Sequence, residues 1–259
     1  MTNGWVAGLT GVYSSTVAGS VNGKWTRITP PPDSPECYSY IYGLRELDYF
    51  REIYAYGGWQ GIAHWERGGQ WEVQLKTHLY AISRVCGVGG ENSDLWAVAN
   101  GGGGEVSERG KATDCGAIYH LHRPGTNWER VVLPGITLHP GQGLADIEPI
   151  RNMREIFILG GSGLILKGAL QGTNWVWRQL HSNTGQYLIS IASDFENNLW
   201  VVGNYGTILR SGNGGESWVE YPCFDEHGTR IRDNFRRIKF VKNRRWIVGN
   251  NTLLTCDLP

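Results

Sequence analysis

The chain has 259 residues, with 24 Lys and Arg against 24 Asp and Glu for no net charge, 41% hydrophobic residues, 37 Gly and 12 Trp. Balanced charge excludes the general attraction to nucleic acid or anionic membranes that a basic chain would have, and the length suffices for a single well-buried domain. There is no apolar run long enough to span a membrane and no cationic-then-apolar leader, so no membrane span is expected.

Met1-Thr2-Asn3-Gly4 runs straight into the first apolar segment, which sets the expected location as cytoplasmic, a leader removed before the numbering being left open. Cys37, Cys86, Cys115, Cys223 and Cys256 show no CxxC spacing and read as buried free thiols.

Six short apolar cores follow in chain order: Trp5-Val6-Ala7-Gly8, Ile53 to Gly57, Leu95 to Val98, Ile156 to Gly160, Leu199 to Gly203 and Arg245 to Gly249. Aligned on Trp5, Tyr54, Trp96, Phe157, Trp200 and Trp246, they are spaced 49, 42, 61, 43 and 46 residues apart. A period of about 40–50 residues is that of propeller blades. A second aromatic follows each of the first five: Trp25, Trp71, Trp128, Trp175 or Trp177, and Trp218. Ordered pairs of this kind are not expected of tryptophans scattered through an ordinary β-sandwich.

Apolar runs upstream, Tyr40 to Leu47, Tyr80 to Cys86, Gly143 to Ile150, Leu188 to Ser193 and Phe235 to Val241, supply innermost strands. The predicted fold is therefore all-β, one β-propeller domain of six four-stranded blades, with five or seven left open by the unmatched chain ends. The repeats are placed at 1–30, 38–76, 79–133, 143–180, 187–222 and 234–259, and the long interval comes from an insertion loop at 100–116. The Gly101 to Gly104 run in that loop is followed by neither GKS nor GKT, so it is not a phosphate-binding loop.

The best-formed repeat is Leu199 to Trp218, LWVVGNYGTILRSGNGGESW. Its first half is two strands around a tight turn at Gly203 to Gly206. Its second half is a turn in which Asn213 would bond nearby backbone N–H groups, glycines would take positive φ and Trp218 would pack beneath. This stretch resembles the repeat of Asp-box (BNR) propellers, Ser/Thr-x-Asp-x-Gly-x-x-Trp, with Ser211, Gly215 and Trp218 matching and Asn213 replacing the Asp. It is most similar to the propellers of photosystem II assembly factors, where a VGxxGTIL hairpin precedes the box. Gly68-Gly69-Gln70-Trp71, Gly125-Thr126-Asn127-Trp128 and Gly172-Thr173-Asn174-Trp175 keep remnants. The resemblance implies a propeller that holds a client polypeptide through an arginine-rich surface. Sialidases share the box, but Arg27-Ile28-Thr29-Pro30 only approximates their early Arg-Ile-Pro element, which speaks against that activity.

Between Thr229 and Arg245 the chain carries Arg230, Arg232, Arg236, Arg237, Lys239, Lys242, Arg244 and Arg245 against one acid, Asp233. Alternation along a strand sends such charges to both faces. Arg230, Arg232, Arg236, Arg237, Arg244 and Arg245 thus form a candidate docking patch for a carboxylate-rich protein or peptide client or an anionic ligand; a solvated, aggregation-resistant edge is the alternative. No nucleic-acid partner is expected, because exposed aromatics do not interleave with the basic residues.

His78, His139, His181 and His227 lie in links between an outer strand and the next inner strand. In a propeller such links share one face, so these imidazoles are candidate ligands for Fe, Cu or Zn, with Asp146 and Glu148 as supporting acceptors. That reading makes the chain a metal-dependent enzyme of a small-molecule substrate, with the oxygenase, lyase or cyclase type undetermined. His120 and His122 form a separate His-x-His. A third reading is a glycan-binding lectin using Trp59 and Trp65 beside Glu66 and Arg67. No GxSxG or HExxH motif supports nucleophilic or zincin chemistry, and the leading expectation is a non-catalytic binding or assembly module.

Overall fold

The computed structural model describes residues 4–8, 11–15, 26–28, 41–47, 52–57, 61–66, 69–76, 81–87, 93–100, 116–139, 142–150, 153–194, 198–242 and 244–257. All its regular elements are strands. Contacts divide it into two compact units, Met1–Val132 and Leu133–Pro259.

The first unit holds three antiparallel sheets. In chain order they are β1 (Gly4–Gly8), β2 (Gly11–Ser15) and β3 (Thr26–Ile28); then β4 (Ile41–Leu47), β5 (Glu52–Gly57), β6 (Gly61–Glu66) and β7 (Trp71–Leu75); then β8 (Ala81–Gly87), β9 (Asp94–Asn100), β10 (Ala117–His122) and β11 (Glu129–Arg130). The second unit repeats the plan with β12 (Leu144–Ile150), β13 (Glu155–Gly160), β14 (Ile165–Gln171) and β15 (Asn174–Leu180), followed by β16 (Leu188–Ser193), β17 (Leu199–Gly203), β18 (Ile208–Ser211) and β19 (Val219–Glu220). Its last sheet has three described strands, β20 (Phe235–Val241), β21 (Arg244–Gly249) and β22 (Leu253–Asp257). Every sheet is an up-and-down meander, the economical solution for strands joined by tight hairpins.

The second strand of each four-stranded sheet, β5, β9, β13 or β17, reads as a continuous apolar run because both of its faces are covered. In β17, Leu199 and Val201 face back to join Phe157, Leu159, Ile165, Leu180 and Trp218. Trp200 and Val202 face forward to join Phe235, Ile238 and Ile247. The period-2 alternation of one strand thus glues three successive sheets, and each large apolar side chain so buried is worth about 1.5–3 kcal/mol. In the first unit Tyr54, Tyr56 and Ile62 meet Leu95, Ala97, Ala99 and Trp128 in the same manner.

Five inner strands share a further feature. The register against the following strand slips by one residue before Gly43, Arg84, Asp146, Ser190 and Arg237. Two of these residues reach the backbone of the next sheet one position further on: Asp146 Oδ2 accepts from the Ile191 N–H at 3.2 Å, and Ser190 Oγ from the Ile238 N–H at 3.5 Å. Such a slip re-aims one side chain per strand, here toward the neighbouring sheet.

Candidate functional site

The turn Ser211 to Trp218 is held by its own side chains. Ser211 Oγ donates to Asn213 Oδ1 at 2.9 Å and accepts the Gly215 N–H at 2.9 Å, while Asn213 Oδ1 accepts the Ser217 N–H at 3.0 Å. Gly214 and Gly215 have φ of 70° and 89°. The turn docks on the preceding sheet. Gly215 lies against the Phe157 ring and Leu180, Trp218 is buried in the shared core, and Lys167 donates to the Gly214 carbonyl at 2.9 Å. Lys167 is itself buried, 3.1 Å from Glu155. Arg178 clamps Glu216 through two hydrogen bonds, which hold that carboxyl below and the guanidinium above their ordinary pKa.

Lys167 belongs to a pattern that the sequence reading missed. An acid two residues before the anchor aromatic meets a basic side chain paired across the hairpin. The three cases are Glu52 and Tyr54 with His64, Asp94 and Trp96 with His120, and Glu155 and Phe157 with Lys167. The signal was present as Glu52-x-Tyr54, Asp94-x-Trp96 and Glu155-x-Phe157, but it is recognisable only once the cross-strand register is known. Asp94 also holds His122, at 2.9 Å, so the His-x-His pair is anchored to one carboxylate.

His139, His181 and His227 are all exposed, and His78 lies outside the described residues. Among the described residues no group of three or more His, Cys, Asp or Glu is placed to hold a metal. The links are organised by other side chains: Gln142 Oε1 accepts the His139 N–H, and Asp225 Oδ1 accepts the N–H groups of His227 and Thr229. Asp146 is 1% exposed, accepts from the Ile191 N–H and lies 3.7 Å from Arg237, while Glu148 is half-buried on the same strand. The expected buried thiols are found only at Cys86; Cys223 is half-buried, which raises its pKa, Cys256 is exposed, and Cys37 and Cys115 lie outside the described residues. Of the lectin residues, Trp65 packs on Trp71, Glu66 is exposed, and Trp59 and Arg67 are not described.

The basic segment divides in two. Arg245 does not reach the surface: it is buried, its guanidinium 4.2 Å from the Trp200 ring centre and 5.1 Å from that of Tyr221. Its strand position points toward the previous sheet, where an arginine plane stacks on aromatic faces. Arg230 pairs with Glu220, and Arg237 lies 3.7 Å from Asp146, so both are internally engaged. Arg244 is exposed above Trp246.

Arg232, Arg236, Lys239 and Lys242 are exposed as well. The one acid of the segment does not neutralise them. Asp233 accepts from the N–H groups of Asn234 and Asn251 and from the Thr252 hydroxyl, which keep its carboxyl below the usual range and commit it to the β21–β22 hairpin.

No family model matches the chain. It is 31% identical over 156 residues, 56% of its length, to the photosystem II stability/assembly factor HCF136, chloroplastic, of Oryza sativa subsp. japonica, and spans 36% of that relative. It superposes on YCF48 from Cyanidioschyzon merolae with a TM-score of 0.68 at 16% identity, covering 99% of this chain and 80% of that one. A structure of YCF48 bound to D1 peptide gives 0.61 at 16% identity, over 96% of this chain and 72% of that one. The fold is that of a β-propeller, as expected from the repeats, and the chain is similar to YCF48-type propellers. Among the described residues no helix is long and apolar enough to cross a membrane.

Proposed function

We infer that this propeller is a non-catalytic module that binds an acidic, extended segment of a client polypeptide on its last sheet, in the manner of an assembly factor. The observation that carries the reading is the set of five exposed cations, Arg232, Arg236, Lys239, Lys242 and Arg244, next to an acid withdrawn into a hairpin. Similarity to a propeller that has been seen with a bound peptide supports it. The turn at 211–218 then has an architectural part as an Asp-box in which Asn213 stands for the Asp, bracing one blade against its neighbour. The basic surface steers and orients an anionic chain, and arginine adds bidentate recognition of carboxylates.

Charge reversal tests this reading. A triple variant Arg232→Glu, Arg236→Glu, Lys239→Glu is expected to bind a synthetic Glu-rich peptide at least about tenfold more weakly by calorimetry, and to lose most of the salt dependence. Unchanged affinity in the triple variant would sink the proposal.

A further inference from the structure

Among the described residues the last sheet consists of β20, β21 and β22, with β22 at its outer edge. Four described sheets carry a fourth strand on the outside, β7, β11, β15 or β19, whereas β22 has no described partner beyond it. The hairpin is closed by the Gly249 N–H to the Thr252 carbonyl at 2.8 Å, and Ile247 and Arg245 stand opposite Leu254 and Cys256. Alternation of hydrogen-bonded pairs then points the N–H and C=O groups of Leu253, Thr255 and Asp257 away from β21. Among the described residues no strand pairs with these ladder positions, which are of the kind that accept an added strand.

The face beside that edge is also open. Leu253 is 62% exposed, Val248 44% and Val241 53%, although the corresponding faces of the preceding sheets are buried. Register places Leu253 and Thr255 on one face with Val248, Trp246 and Lys239. Arg244 shares that face, standing opposite Asp257 in register. An added strand would lie roughly 10 Å from β21, a gap that an arginine and a glutamate side chain span together. Cations on this face disfavour a second copy of the same surface and favour an acidic occupant.

We propose that the client segment binds by strand addition, forming the fourth strand of the last sheet along β22, with acidic and apolar side chains alternating over the face of Lys239, Val248 and Leu253. This rests on the peptide-binding reading above and gives it a mode. Backbone pairing supplies affinity that tolerates sequence variation, and the basic and apolar face supplies selectivity.

The test uses the full chain and a labelled peptide repeating Glu-Thr-Val-Thr, with Lys-Thr-Val-Thr as its counterpart, followed by fluorescence anisotropy. The acidic peptide binds the wild type, and the basic one at least about tenfold more weakly. Thr255→Pro removes an outward donor without touching the β21 ladder, since proline is tolerated where an edge N–H faces solvent. It is expected to weaken acidic-peptide binding about tenfold while the melting temperature holds, and N-methylating alternate amides of the peptide does the same with the unaltered protein.

If the peptide binds and neither change weakens it by more than about twofold, strand addition is overturned while the peptide-binding reading stands. If the wild type does not bind the acidic peptide, both fall. A dimer in light scattering that Thr255→Pro abolishes and the peptide does not displace would make a second copy the occupant and overturn the proposal.

Discussion

Arg237→Ala is expected to lower unfolding free energy by about 2–3 kcal/mol, while Arg236→Ala, one residue away, costs less than about 0.5 kcal/mol. The adjacent arginines differ because the register slip at Arg237 re-aims it. Its guanidinium stands 3.7 Å from Asp146, whose side chain is almost wholly buried, whereas Arg236 is exposed and bonded to Asn250. Removing Arg237 leaves a carboxylate in a dry setting with one of its charge partners gone. Breaking a fully buried pair costs about 3–5 kcal/mol, and the smaller figure reflects the 33% exposure of the Arg237 side chain and the Ile191 N–H that still holds Asp146. Denaturant titration of the two variants checks the contrast. Equal stabilities would mean that Arg237 belongs to the solvent surface and Asp146 needs no counter-charge.

Gly206→Ala should cost about 3 kcal/mol, against about 1 kcal/mol for Gly228→Ala. Both glycines have positive φ, 71° and 76°, where an L side chain is strained. Only Gly206 is also crowded: a Cβ there would sit 2.0 Å from the Ile231 carbonyl oxygen in the link that enters the last sheet, whereas at Gly228 it would meet nothing within 4 Å. Gly163 is placed alike against the Thr184 carbonyl, at 1.9 Å. The last glycine of each hairpin turn is thus required by the passage of the next linking segment, and the extra loss at Gly206 measures that contact. Thermal or chemical unfolding of both variants resolves the difference, and equal losses would assign the whole effect to backbone strain.

These positions show what could be read from the sequence. The blades were legible because Trp200, Phe157 and Trp96 lie in strands buried on both faces, which leaves unbroken apolar runs bounded by glycines. The 211–218 turn was legible because its hydrogen bonds close within eight residues. Convergence of His139, His181 and His227 was not, because it depends on side-chain direction in links whose turns are made by Gln142 and Asp225, leaving the rings outside. The basic run was legible as a run but not by face: the fold withdraws Arg245 to Trp200, Arg237 to Asp146 and Arg230 to Glu220, and leaves Arg232, Arg236, Lys239, Lys242 and Arg244 in solvent. Asp146 was expected to support a metal; instead it secures the next inner strand, a role set by a register slip that no local pattern announces.

The picture that emerges separates architecture from function. Repeated features, the anchor aromatics, the hairpin glycines and the side-chain-braced turn, hold sheet to sheet. What is not repeated, the exposed cations and the exposed Val248 and Leu253 of the last sheet, is where the client is proposed to be held. Hydrogen–deuterium exchange of the full chain with and without a Glu-rich peptide puts this to the most direct test. The account predicts slowed exchange confined to β20–β22, strongest at the outward amides of Leu253 and Thr255. Slowed exchange over the links that carry His139, His181 and His227, with β20–β22 unchanged, would contradict it.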